Sequence, residues 1–282
     1  MGCRAKEDKV MSRPRWFVWA VRKTFPSRFA LARLTRRFPR LGRVADNLLF
    51  EGDDIIYLPR DRVIEVGEDL PEPDGTVLPS RVIEHFIDRA SFLWVMDRCI
   101  CREASSCRDY PIDLGCLFLG EAARGINPKL GHEVDKEGAR EHLRRCREAG
   151  LIHLVGRNKL DTVWLGVKPG RELVTVCSCC PCCCLWRMLP ELTTLISGKV
   201  SRMPGVSVEV GDDCRGCGRC TDEGVCFVRA IELREGKARI TDGCRGCGRC
   251  VEACPHGVIH LKLTDPRSVE LAIERLEPLF DL

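Results

Sequence analysis

The sequence predicts an α+β protein. A mainly helical, cysteine-rich N-terminal part carries a helix and β-hairpin with a winged-helix outline, and a small module built on cysteine loops follows. Three observations carry this. Residues 135–149, DKEGAREHLRRCREA, have the spacing of an amphipathic helix closed by Gly150, and LIHLV and DTVWLGV follow as two short apolar runs across the turn GRNK. The heptapeptide CRGCGRC occurs twice, at 214–220 and 244–250. Finally, the chain has 20 cysteines in 282 residues, with no apolar leader and no run of membrane-spanning length. That combination predicts a reducing, cytoplasmic setting in which thiolates are kept for metal rather than disulfides.

Four segments are expected: 1–50, 51–203, 206–263 and 264–282. In the first, ten Arg or Lys residues and no acid lie between Arg13 and Arg43. Trp16, Phe17, Trp19, Phe25, Phe29, Leu31, Leu34 and Phe38 are interleaved with them. Pro26 and Pro39 divide this stretch into two short helical pieces. Phe25, Phe29 and Leu34 lie close to a helical period and predict an inward face, with Arg28, Arg36 and Arg37 mostly on others. Such a segment either packs its aromatics on the body or makes a peripheral contact with anionic lipid or an acidic partner; nucleic acid is the least favoured. The chain begins Met1-Gly2-Cys3 like an acylation signal, but Lys6 stands where Ser or Thr is required.

The second segment opens on two short strands, IIYL and RVIEV, followed by a turn or linker at LPEPDG. A helix begins near Pro79-Ser80, with Val82, Ile83, Phe86 and Ile87 on one face. It leads through Phe92, Leu93, Trp94 and Val95 to the first cysteine group. A further helix is expected over 185–196, and SVELAIERL predicts a C-terminal helix that packs back on the body.

Each CRGCGRC copy supplies three thiolates at intervals that let a tight loop wrap one centre, and Gly216, Gly218, Gly246 and Gly248 suit backbone at positive φ close to that centre. Zinc also takes repeated C-x-x-C pairs, but three even spacings followed by Cys254-Pro255 fit it poorly. Over roughly 206–263 the chain resembles the dicluster bacterial-type ferredoxins. The resemblance implies two [4Fe–4S] clusters, one held by Cys214, Cys217, Cys220 and Cys254, the other by Cys244, Cys247, Cys250 and Cys226. The first copy departs from that family. Five residues, Thr221 to Val225, precede Cys226 where three are usual, and Phe227 replaces proline.

A second constellation precedes the module. RCICREASSCRDYPIDLGC carries Cys99, Cys101, Cys107 and Cys116, and VCSCCPCCCLW carries Cys177, Cys179, Cys180, Cys182, Cys183 and Cys184. Six thiols in eight residues would make a poor apolar strand, whereas a metal centre needs soft thiolates in close array. These ten are candidate ligands for at least one additional iron–sulfur cluster; zinc, or structural and redox-active thiols, are the alternatives. Cys146 reads instead as a small core residue. Arg98, Arg102 and Arg108, and Arg215, Arg219, Arg245 and Arg249 in the loops, would offset thiolate charge if they are more than surface residues.

Taken whole, residues 80–262 resemble a group of cysteine-rich ferredoxin-type proteins of anaerobes and methanogens, which implies iron–sulfur chemistry of anaerobic metabolism without fixing a reaction. The expected function is electron transfer with a redox partner protein. An oxidoreductase with a catalytic cluster at 99–184 is the alternative, and a redox-responsive nucleic-acid binder a weaker one. The six histidines form no ligand spacing, and no Walker loop is present.

Overall fold

The computed structural model describes residues 13–60, 64–66 and 79–281. The Met1-Gly2-Cys3 start and LPEPDG lie outside these residues. Pro39 starts a helix rather than only ending one, so the basic segment forms three: α1 (Arg15–Thr24), α2 (Arg28–Arg37) and α3 (Pro39–Leu49). Then come β1 (Asp54–Tyr57), β2 (Ile64–Val66), α4 (Ser80–Arg89), β3 (Leu93–Met96), α5 (Ile100–Ala104), β4 (Leu117–Leu119) and β5 (Gly131–Glu133). The amphipathic helix is α6 (Lys136–Glu148), capped by Asp135 and burying Ala139, His142, Leu143 and Cys146, one stripe at helical spacing.

After α6 the expected hairpin does not form. IHLV lies in β6 (Ile152–Arg157), but DTVWL belongs to α7 (Lys159–Leu165). Its buried residues are Asp161, Trp164 and Leu165, a helical spacing. Asp161 accepts bonds from Asn158 Nδ2 at 2.7 Å and Trp164 Nε1 at 2.8 Å, and Gly166 at φ +73° ends the helix. The short apolar run after the turn GRNK suggested a strand; local bonds to a buried carboxylate decided for helix. With one wing missing there is no winged-helix unit. The remaining elements are β7 (Val174–Cys179), α8 (Thr194–Ser197), β8 (Val200–Arg202), β9 (Val206–Val210), β10 (Ile231–Arg234), β11 (Lys237–Ile240), α9 (Arg249–Ala253), β12 (Ile259–Leu263) and α10 (Ser268–Leu276). The helix expected over 185–196 is a 3-10 turn, Leu185–Glu191, followed by α8. Pro190, which cannot donate its backbone nitrogen, breaks it.

The cysteine-rich part carries more helix than strand, as expected, but strands not legible in the sequence arrange its helices. It is organised by a seven-stranded sheet in the order β5-β3-β4-β7-β6-β1-β8, antiparallel throughout except for β1 with β8. Its strands, only three to six residues long, come from distant stretches of sequence, and this hid the sheet from periodicity. One face buries Val95, Leu117, Leu119, Val155, Val174 and Val176 against α4 and α6. The other buries Ile55, Tyr57, Ile152 and Leu154 against residues of α2 and of 184–196. The result is a three-layer stack around one sheet.

The C-terminal unit is built twice over. Each CRGCGRC loop runs from a strand (β9 or β11) into a short helical turn and on to another strand (β10 or β12). The copies pair crosswise, β9 with β12 and β10 with β11, all antiparallel. β2 adds parallel to β12, and Phe280 packs edge-on against Phe86 of α4. One apolar core thus runs from the large sheet through the C-terminal unit to α10.

Candidate metal centres

The pleat of the large sheet explains how distant cysteines meet. Successive side chains alternate between faces, so in β7 Cys177 and Cys179 point away from Val174, Val176 and Ser178. Leu117 pairs with Val176, and the preceding step brings Cys116 Sγ to 3.6 Å from Cys177 Sγ. Beyond the strand the chain turns at Pro181 and returns, leaving Cys184 Sγ 3.1 Å from Cys179 Sγ. Cys101 and Cys99, at the start of α5, hydrogen-bond each other. Cys99, Cys101, Cys116, Cys177, Cys179 and Cys184 thereby share one thiol nest.

Arg102 crosses it. The side chain is wholly buried, yet its bonds go to two carbonyls, Ser178 O at 2.8 Å from Nη1 and Leu114 O from Nη2. Nε is left buried without a partner. Burial alone would lower the guanidinium pKa; the surrounding Cys99, Cys180, Cys179 and Cys116 raise it instead. The effect is reciprocal. Cys179 is held well below the ordinary thiol value, first by bonds from Cys177 and Cys184, then by the charges of Arg102 and Arg249. Cys99 comes down to about 7, chiefly through Cys101 and with help from Arg102. A second guanidinium, Arg28 of α2, sits among Cys101, Cys184 and Cys183, and burial lowers its pKa. Arg28, expected on a face other than that of Phe25 and Phe29, instead lies over both of their rings. Arg98 and Arg108, by contrast, are exposed.

The loop cysteines line two cavities. One is bounded by Cys214, Cys217, Cys220 and Cys254; the other by Cys226, Cys244, Cys247 and Cys250. The glycines serve both loops alike, with φ of +65° and +64° at Gly216 and Gly246 and +80° at Gly218 and Gly248. A Cβ on Gly216 would stand 2.0 Å from Gly236 O. Backbone N–H groups point at sulfur in each unit, from Ala238 to Cys214 at 3.4 Å and from Gly246 to Cys244 at 3.4 Å. Paired cavities bounded by four sulfurs, with amides aimed at the sulfurs, suit thiolate-held clusters.

The two loops are not equivalent. In the first, Cys217, Arg215 and Arg219 are exposed. In the second, Arg245 and Arg249 are partly buried and hold the rest of the chain: Arg245 bonds Ser197 O at 3.1 Å, and Arg249 bonds both Gly150 O and Cys179 O at 3.1 Å. Phe227, the residue in place of proline, is buried with its ring 4.7 Å from that of Tyr57. Tyr57 in turn places its hydroxyl 3.9 Å from Cys184 Sγ. Cys177, Cys179, Cys226, Cys244 and Cys247 all pack against this one apolar cluster. The departure at Phe227 is thus where the duplicated unit docks on the large sheet. Tyr57, Phe227 and Arg28 were not singled out as site residues, because only the tertiary fold brings them to the cysteines.

The fourth group stands apart. Cys107, Cys180, Cys182 and Cys183 have their sulfurs all within 4.8 Å of one another. Cys146 is fully buried beside Leu114 and Leu151, as a core residue would be, and His153 stays neutral, its pKa pushed down to about 3 by burial.

Residues 223–264 match a family model described as the LdpA Fe-S cluster-binding domain. No curated protein and no solved structure matches the chain. The matched stretch contains Cys226, Cys244, Cys247, Cys250 and Cys254, five of the cavity-lining cysteines. With the cysteine groups, it makes the chain an iron–sulfur-binding protein. Among the described residues no helix is long and apolar enough to cross a membrane.

Proposed function

We propose that this is an electron-transfer protein. Cys214, Cys217, Cys220 and Cys254 would hold one [4Fe–4S] cluster, Cys226, Cys244, Cys247 and Cys250 a second, and the central nest at least one more. Clusters of this kind supply one-electron carriers whose potentials follow hydrogen bonding, charge and solvent exposure. The observation that carries the reading is the graded placement of the three sulfur groups. The first meets solvent at Cys217, and the second and the nest pack on one buried cluster through Tyr57 and Phe227. This chain's residues thus set one exposed terminal for a redox partner and keep water from the others. Arg102 and Arg28 supply positive charge at the nest, which favours a reduced state there relative to an unpaired site.

Anaerobic purification with iron and acid-labile sulfide counts, joined to EPR of the reduced protein, tests this. About twelve irons or more with matching sulfide are expected, against about eight for a protein with only the duplicated loops loaded. A count of eight removes the central cluster. A substrate-dependent reoxidation of the reduced protein would favour an oxidoreductase instead.

A specific surface feature bears on location. Trp16 and Trp19 are 68% and 59% exposed, Leu31 and Leu48 59% and 63%, and Leu34, expected to face inward, is exposed as well. Ala32 and Thr35 take the buried positions of α2. Apolar side chains of this size left in water, most of them on a stretch whose residues 13–43 hold ten Arg or Lys and no acid, fit the surface of an anionic bilayer. The holoprotein is expected to sediment with phosphatidylserine-containing vesicles at low salt and not with neutral ones, and Trp16→Ala with Trp19→Ala should weaken that binding. Failure on both vesicle types eliminates lipid and leaves an acidic protein as the occupant.

A further inference from the structure

We propose that Cys107, Cys180, Cys182 and Cys183 form a separate site for a single divalent metal ion, caged tetrahedrally by four thiolates and free of inorganic sulfide. The site is additional to the clusters proposed above and does not depend on them.

The spacing carries the inference. Four thiolates at about 2.3 Å from one ion stand about 3.8 Å apart along the edges of the tetrahedron. Here Cys107 Sγ and Cys182 Sγ are 3.6 Å apart, Cys182 Sγ and Cys183 Sγ also 3.6 Å, and no pair of the four exceeds 4.8 Å. A cubane spreads its thiolates over four separate irons and holds them further apart. The same chain provides the comparison: among the described residues this is the one group of three or more such donors crowded to this degree. Neither loop quartet is.

Backbone N–H groups point at two of the four sulfurs. Cys183 N–H points at Cys180 Sγ at 3.3 Å, and the N–H groups of Asp109 and Tyr110 bond Cys107. The turn at Pro181 projects three sulfurs to one side, and the loop after α5 brings the fourth. Four thiolates around a divalent ion leave a net charge of about −2. Arg102 lies beside Cys180, Arg28 beside Cys183, and Arg187 bonds Cys182 O, so the countercharge is present.

All four positions are filled by protein, which is the mark of a structural ion. Its place gives it a task. It ties the loop after α5 to the turn after β7, beside Cys99 and Cys101 at the start of α5, Cys179 at the end of β7 and Cys184 beyond the turn, four sulfurs of the nest. Zinc suits such a cage, having no redox chemistry and no preferred geometry beyond four ligands.

Elemental analysis of the full chain, purified anaerobically without chelator, tests the site together with X-ray absorption at the metal edge. About one zinc per chain is expected, with four sulfurs near 2.3 Å and no neighbouring metal. Cys107→Ser with Cys182→Ser should lose that ion and leave the sulfide count unchanged. One iron in excess of sulfide, lost in the same variant, supports the same cage with iron in it. Absence of both ions overturns the proposal, as does sulfide lost together with the metal, or nitrogen ligands or metal neighbours in the spectrum. Should the variant fail to fold, the absorption spectrum of the unaltered protein decides alone.

Discussion

Arg102→Leu is expected to empty the central nest of its metal and to destabilise the whole chain. The guanidinium has no contact with water, and around it stand Cys99, Cys116, Cys179 and Cys180. Desolvating such a charge is tolerable only where countercharge surrounds it, and thiolates supply that here. Leucine would leave their charge unmatched and free the carbonyls of Ser178 and Leu114, which Arg102 now bonds. Breaking a buried ionic contact on one side costs about 3–5 kcal/mol. In a chain of this size that lowers the melting midpoint by roughly 10 °C. Iron and sulfide counts with a thermal melt check it, and Arg102→Lys provides the control. A lysine keeps the charge but lacks the fork that spans both carbonyls, so partial retention of metal is expected. An unchanged metal count and midpoint in Arg102→Leu would show that the nest does not need this charge.

The same residue shows how far the sequence could be read. Its position beside the first cysteine group was visible, and so was the idea that arginines there offset thiolate charge. Which of Arg98, Arg102 and Arg108 does so was not, because the choice depends on α5 turning Arg102 beneath β7 while the others meet solvent. The positive-φ glycines of the duplicated loops were legible in the sequence, since each loop is a local device of a few residues. The amphipathic α6 and the helices at 80–89 and 268–276 were equally local. The sheet was not. Its central strand, β7, pairs with β4 and β6, and β1 joins β8 from about 145 residues away, so no window of sequence contains the contact. Reading DTVWLGV as a strand is the same error in small: the apolar run after a turn was weighed, and the 161–164–165 spacing of the buried side was not.

The inequality of the two loops leads to the second large effect. Cys217→Ser and Cys250→Ser each remove one thiolate from a copy of the same heptapeptide, the middle one of the first copy and the last one of the second. They are expected to respond differently. Cys217 is exposed, so a serine there meets water and costs only the cluster it would help hold, about four irons and four sulfides. Cys250 is buried in the core that joins Val208, Ala238, Ile259 and Leu261 to the large sheet. A hydroxyl placed there without a partner costs about 1–3 kcal/mol in addition to the lost ligand. The damage also has a path to the nest. Arg249 is the adjacent residue, and it bonds the carbonyls of Cys179 and Gly150. Cys250→Ser should therefore lower the melting midpoint and remove more iron than its own quartet accounts for, while Cys217→Ser leaves the nest loaded. Iron and sulfide counts on the two variants, compared with EPR of what remains, read the difference. Equal losses would mean that the loops are independent of the large sheet, and the inward orientation of the second would then have no part in holding the central metal.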